Sequence, residues 1–105
     1  MSLPDITHRQ FLVLSLLMHG EVSGRVLRQK IAEHGTQKTT PAFYQLMSRL
    51  EDANLVTGRY VDKTIDGERI RERRYRITRL GERARTTARE FYAHPIPLQP
   101  GWANG

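Results

Sequence analysis

At Asn54 the sequence changes period, and that change constrains the fold more than any other feature. Before it, apolar residues recur at helical spacing; after it, they alternate in two runs separated by an Asp-Gly pair. Ahead of the break, Thr7-His8-Arg9-Gln10 reads as a capping box, with Thr7 accepting from the first turn and Gln10 reaching back to the Thr7 amide. The run Phe11–Met18 is apolar nearly all round. The first helix is therefore expected to be central and largely buried, and His19-Gly20 to stop it. Ser23 is expected to cap a second helix that turns Val26, Leu27 and Ile31 inward and Arg25, Arg28, Gln29 and Lys30 outward, with Gly35 as its left-handed end. Thr40 followed by Pro41 predicts the start of a third helix, with Phe43, Leu46, Met47 and Leu50 on one face and Asn54 as a left-handed cap.

Beyond the break, Leu55–Val61 and Ile70–Ile77 read as two strands, and Thr64–Glu68 as the hairpin connection. Thr78 is expected to cap a last helix from Arg79 to about Ala93, carrying a narrow stripe of Leu80, Ala84, Ala88 and Phe91. The prolines from Pro95 to Pro100 exclude regular helix or central strand. The order helix, helix, helix, strand, strand, helix predicts a mainly α chain with a small β-hairpin. That is a winged helix-turn-helix: a three-helix core, a two-stranded wing and a C-terminal helix. The division read from the sequence is a winged domain over 1–78, a C-terminal helix over 79–94 and a proline-broken tail over 95–105. Trp102, the single tryptophan, either caps a dimer interface or lies in a disordered tail.

The chain has 105 residues, enough for one domain with a thin margin of burial, so a partner subunit would help. Its net charge of +6 and isoelectric point near 10.3 favour a polyanion, with plain solubility as the alternative. Cysteine is absent, which excludes disulfides and thiolate metal sites and fits a reducing compartment. The N-terminus lacks a basic leader region, and Phe11–Met18 is too short to span a bilayer. The expectation is a cytoplasmic, nucleoid-associated protein that does not engage membranes.

The face of the third helix opposite its apolar stripe presents Gln45, Ser48 and Arg49, with Tyr44 at the edge. Gln45 can pair with adenine, Arg49 with guanine or phosphate, and Tyr44 and Ser48 can donate to phosphate. Lys38, Thr39 and Thr40 precede the helix, where amides and dipole favour a phosphate. An ordinary solvated face is the competing reading. The hairpin carries Arg59, Lys63, Arg69, Arg71, Arg73, Arg74 and Arg76. Alternation turns Tyr75 and Ile77 inward and Arg74 and Arg76 outward, and Arg69 and Arg71, near the tip, are with Lys63 the DNA candidates of the wing. A charged edge strand guarding against aggregation would look similar. His8, His19, His34 and His94 share no ligand spacing, and no phosphate loop or nucleophile motif is present, so no metal, no cofactor and no catalysis are expected. Beyond Tyr60 and Tyr75 there is no aromatic platform for single-stranded RNA. The competing function is a protein-interaction module, in which the last helix and Trp102 would matter more than Arg49.

Three stretches together carry a resemblance: Val13–Gly24, Ala42–Val56 and Arg73–Gly81. They resemble the PadR-like winged-helix transcriptional regulators, whose leucine-rich first helix leads to a small-residue turn ending in glycine. Their recognition helix follows T-L-Y-x-x-L-x-x-L-E-x-x-G-L-V, and their wing ends in R-x-Y-x-L-T-x-x-G. The likeness spans roughly residues 10 to 85. The chain departs from the pattern at Arg25, where tyrosine is usual, at Ala42 for threonine, and at Asn54 for glycine. The resemblance implies a homodimer that represses from operator DNA and is often relieved by a small-molecule effector, here unidentified. It places Tyr44, Gln45, Ser48 and Arg49 against double-stranded DNA, and Leu80, Ala84, Ala88 and Phe91 in the dimer contact.

Overall fold

The computed structural model describes residues 5–35 and 39–93. Lys38, His94, the tail over 95–105 and Trp102 lie outside the described residues. Within them the order is α1 (His8–Leu16), β1 (Val22–Ser23), α2 (Gly24–Glu33), α3 (Thr40–Asp52), β2 (Val56–Ile65), β3 (Glu68–Ile77) and α4 (Arg79–Ala93).

The helix ends follow local chemistry. The Thr7 hydroxyl accepts from the Gln10 amide at 3.1 Å, while the Thr7 amide donates to Gln10 Oε1 at 2.9 Å, completing the capping box of α1. After Leu16 the chain tightens into a single 3-10 turn, Leu17–His19, and Gly20 leaves it at a φ of 131°. The Ser23 hydroxyl caps α2 through the Val26 amide. The start of α3 differs from the expectation by one residue. Thr39, not Thr40, is the cap, its hydroxyl accepting from the Ala42 amide at 3.3 Å, and Pro41 sits inside the first turn. Both threonines precede a proline-bearing turn, and only the backbone decides which hydroxyl meets a free amide. The end of α3 is a full Schellman arrangement: the Asn54 amide donates to the Glu51 carbonyl, the Leu55 amide donates to the Leu50 carbonyl, and Asn54 has a φ of 61°. Leu50 and Leu55 are both buried, which supplies the apolar contact that fixes this exit.

The sheet is larger than the sequence suggested. The hairpin closes on only two residues, Asp66 (φ 52°) and Gly67 (φ 82°), both left-handed as a type I′ turn requires. This tight turn carries the ladder to the tip, so β2 and β3 pair without interruption from Val56↔Ile77 to Ile65↔Glu68. A third, two-residue strand was not expected: β1 pairs antiparallel with β3 through Val22↔Tyr75 and Ser23↔Arg74, giving the order β1-β3-β2. Two residues are too few for a periodic signal.

One core binds these elements. Val13, Leu14 and Leu17 from the first helix and its turn, Leu27 and Ile31 from α2, and Phe43, Leu46, Met47 and Leu50 from α3 pack with Leu55, Val56 and Tyr75 at the base of the sheet. Each such side chain, fully buried, contributes roughly 1.5–3 kcal/mol before entropy is subtracted. The α4 helix joins through the fully buried Ala88 and a Gly81 that permits backbone approach to Leu55. No helix of the described residues is long and apolar enough to cross a membrane.

Candidate nucleic-acid interface

The apolar face of α3 faces the core, so its other face is turned out. Gln45, Ser48 and Arg49 are exposed, Tyr44 is 41% exposed, and Thr39 and Thr40 stand exposed at the helix start. The ring of Tyr44 is steadied by an edge-to-face contact with Phe43, centroids 5.3 Å apart.

Beside this face stands the wing, whose two surfaces differ in chemistry. On one surface Glu21 gathers three arginines. Arg59 donates to it through Nε at 2.9 Å and Nη2 at 2.8 Å, while Arg74 and Arg76 approach to 3.8 and 3.9 Å. The Arg59 hydrogen bond, opposed by burial and aided by the charges of Arg59, Arg76 and Arg74, holds the Glu21 carboxyl below its ordinary range. Further along the same surface Glu72 meets Lys63 and Arg74, each at 3.3 Å. Burial pushes the Glu72 carboxyl up, but hydrogen bonds from Lys63, Ser23 and Arg74 outweigh it, and the net shift is downward.

The other surface faces α3. There Arg71 lies over the Tyr60 ring at 5.1 Å and 3.7 Å from Asp62, and Arg73 reaches Glu51 on α3. Two concavities join wing to helix. One runs between Tyr44 and Ser48 of α3 and Tyr60, Arg71 and Arg73 of the wing. The other, a cleft of about 290 Å³, is bordered by Arg25, Tyr44, Lys63 and Arg71, with Ile65 and Ile70 supplying apolar wall.

Of the residues read from the sequence, Tyr44, Ser48, Lys63 and Arg71 are brought together along these concavities, with Gln45 and Arg49 on the same outward helix face. Arg69, at the exposed tip, has no ion-pair partner among the described residues, whereas Lys63 and Arg71 each have one. The four dimerisation candidates share one stripe of α4 but differ in burial. Ala88 is fully buried within its own chain, Ala84 and Phe91 are half-buried, and Leu80 is 50% exposed on the outside. Ala88 therefore belongs to the chain's own core. Phe91 and Phe11 instead flank Tyr92, which is 57% exposed, at 5.3 and 6.3 Å between centroids.

Sequence reasoning missed the carboxylates that organise these arginines: Glu21, Glu51 and Glu72. The register set by Asp66-Gly67 would have placed Glu72 beside Lys63 diagonally across the ladder; nothing local marks Glu21, whose partners lie 38 or more residues away. Arg25, not among the DNA candidates read from the sequence, borders the cleft.

With helix and wing placed, the sequence profile described as the transcriptional regulator PadR-like family matches residues 13–87. The chain belongs to this PadR-like family. Its members are transcription regulators rather than enzymes. Solved structures agree on the fold. A PadR family regulator from Clostridium difficile R20291 superposes with a TM-score of 0.72 at 18% identity, covering 83% of this chain and 88% of that one. One from Eggerthella lenta gives 0.65 at 26% identity, covering 80% and 70%. Bacillus subtilis PadR, solved in complex with operator DNA, gives 0.61 at 21% identity; the match covers 87% of this chain but only 50% of that one. No match was found among curated proteins.

Proposed function

We propose that this PadR-like protein binds double-stranded DNA sequence-specifically as a homodimer and acts as a repressor. The observation that carries the reading is the placement of α3 and the wing. An exposed row of Gln45, Ser48 and Arg49 stands beside a wing bearing Lys63, Arg69 and Arg71, with shared concavities between them. A helix in the major groove reads base edges, for which Gln45 and Arg49 have the right donors and acceptors. Cations on the wing suit the backbone or a narrow minor groove. The structural likeness to a PadR bound to operator DNA supports the same docking here.

Homodimerisation is part of the reading because a core of this size is thin and α4 leaves Leu80 and Tyr92 exposed. Two copies related by a two-fold axis would present two recognition helices to two half-sites. Occupying a promoter in that way excludes polymerase, and a small-molecule effector that alters the spacing would relieve it. The protein would act in the cytoplasm, on the nucleoid.

Light scattering coupled to size exclusion, with and without a selected duplex, tests this. The account expects a dimer that keeps two chains per duplex. A monomer binding one chain per duplex contradicts it, and a stable complex with a protein partner but no salt-sensitive DNA binding would put a protein-interaction module in its place.

A further inference from the structure

The outer part of the wing is a two-stranded ribbon that stands free. From Asp62 to Arg71 every residue is exposed, and β1 supports β3 only at Arg74 and Tyr75. Isolated ribbons of this kind are marginal and twist readily. Its joint to α3 is a short turn, Ala53–Leu55. Some contact must therefore fix the angle between ribbon and helix if both are to meet one DNA surface.

Arg73 supplies it. This residue sits opposite Tyr60 in the ladder, on the surface facing α3. Its Nη2 donates to both carboxylate oxygens of Glu51, at 2.9 and 3.0 Å, in the last turn of α3. The guanidinium also lies 4.7 Å from the Tyr60 ring centroid and 5.6 Å from that of Tyr75. Among the described residues this is the one ion pair between α3 and the wing. With side chains only 24% and 28% exposed, the pair is screened less than a surface bridge.

Gly58 makes room for it. A Cβ at that position would lie 2.6 Å from Arg73 Nη2, 2.7 Å from Glu51 Oε1 and 2.8 Å from Arg73 Cζ. All three are far ends of flexible side chains, so an alanine there displaces the pair and not the backbone.

We propose that Glu51, Arg73 and the bare backbone of Gly58 form a latch that locks the recognition helix and the wing at one angle, so that they engage DNA as a single preorganised surface. These are positioning residues, not DNA contacts. The consequence for DNA rests on the function proposed above, but the latch itself does not. Locking matters because a chain that samples many angles binds in proportion to the fraction already in the competent one.

The chain has no cysteine, so spin labels at Ser48→Cys and Thr64→Cys, both exposed, report the helix-to-wing distance cleanly. The expected result is one narrow distance distribution, broadened by Glu51→Gln and, independently, by Gly58→Ala, each with unchanged circular dichroism. Without labels, both variants should lose about tenfold in affinity for a selected duplex while binding a scrambled one as before. Arg73→Lys should show a smaller loss, since lysine keeps the charge but not the planar guanidinium that lies over the Tyr60 ring. An unbroadened distribution in Gly58→Ala overturns the latch whatever the DNA result. Broadening with unaltered discrimination between duplexes overturns its role in recognition. A narrow distribution that broadens in both variants, in a wild-type chain blind to sequence, upholds the latch and overturns the function it was thought to serve.

Discussion

The carbonyl oxygen of Leu55 fills the space in which Gly81 would carry a side chain. A Cβ built on Gly81 overlaps that oxygen and stands 2.8 Å from Ile77 Cγ1. The same carbonyl accepts from the Thr78 amide at 3.1 Å, so the start of α4 and the exit of α3 share one backbone group. Gly81→Ala must therefore move backbone, and we expect it to cost about 2–3 kcal/mol. Gly58→Ala, which meets only side-chain ends, should cost less. Urea unfolding of both variants checks the order; equal midpoints would show that the α4 junction yields freely.

The start of α3 separates two adjacent threonines. Thr39 caps the helix through its hydroxyl, and Thr40 already lies within it. Thr39→Ala should lower stability by about 1 kcal/mol, and Thr40→Ala by less than about 0.5 kcal/mol. Thermal melts of the pair decide it, and the reverse order would move the cap by one residue.

Acid should loosen the base of the wing. The folded protein holds the Glu21 and Glu72 carboxyls below the ordinary carboxylate value of 4.5 through their cationic neighbours. Groups depressed in this way contribute stability above that value, and the contribution is lost as pH falls through their folded-state values. Melting temperature should drop as pH is lowered through the region below about 4.5, and less steeply in Glu21→Gln. Parallel profiles for wild type and Glu21→Gln would mean that the Arg59 pair adds nothing to folding.

Arg49 and Arg69 should separate two kinds of DNA contact. Arg49→Ala should cost about 1–3 kcal/mol on the preferred duplex and relax the choice of base there. Arg69→Ala should weaken all duplexes alike and reduce the salt slope by about one. Anisotropy titrations across a salt series measure both; a variant pair indistinguishable from wild type would take α3 and the wing off the DNA.

The elements were legible in the sequence because their signals are local. The Thr7–Gln10 capping box, the left-handed Gly35 and Asn54, and the Asp66-Gly67 turn each act within a few residues. What escaped was non-local or minimal. The strand Val22–Ser23 exists only because β3 offers it a partner, and the cap at Thr39 instead of Thr40 depends on backbone angles that two equal hydroxyls do not reveal. At the interface, the count of arginines was readable but their employment was not. Arg59, Arg73 and Arg74 read only as basic residues of the hairpin until the fold brings Glu21, Glu51 and Glu72 against them. Leu80 reads as part of an apolar stripe, yet the helix turns Gly81 inward in its place, because only glycine lets α4 approach the Leu55 carbonyl.

Selection from a randomised duplex pool, followed by anisotropy on the survivors at low and high salt, tests the central claim most directly. The account predicts survivors that share an inverted repeat, with half-sites about 10 bp apart or a multiple of that, bound at least about a thousandfold tighter than the starting pool. Binding that is weak, indifferent to sequence and abolished by salt would contradict it, leaving the positive charge as a nonspecific attraction for polyanions.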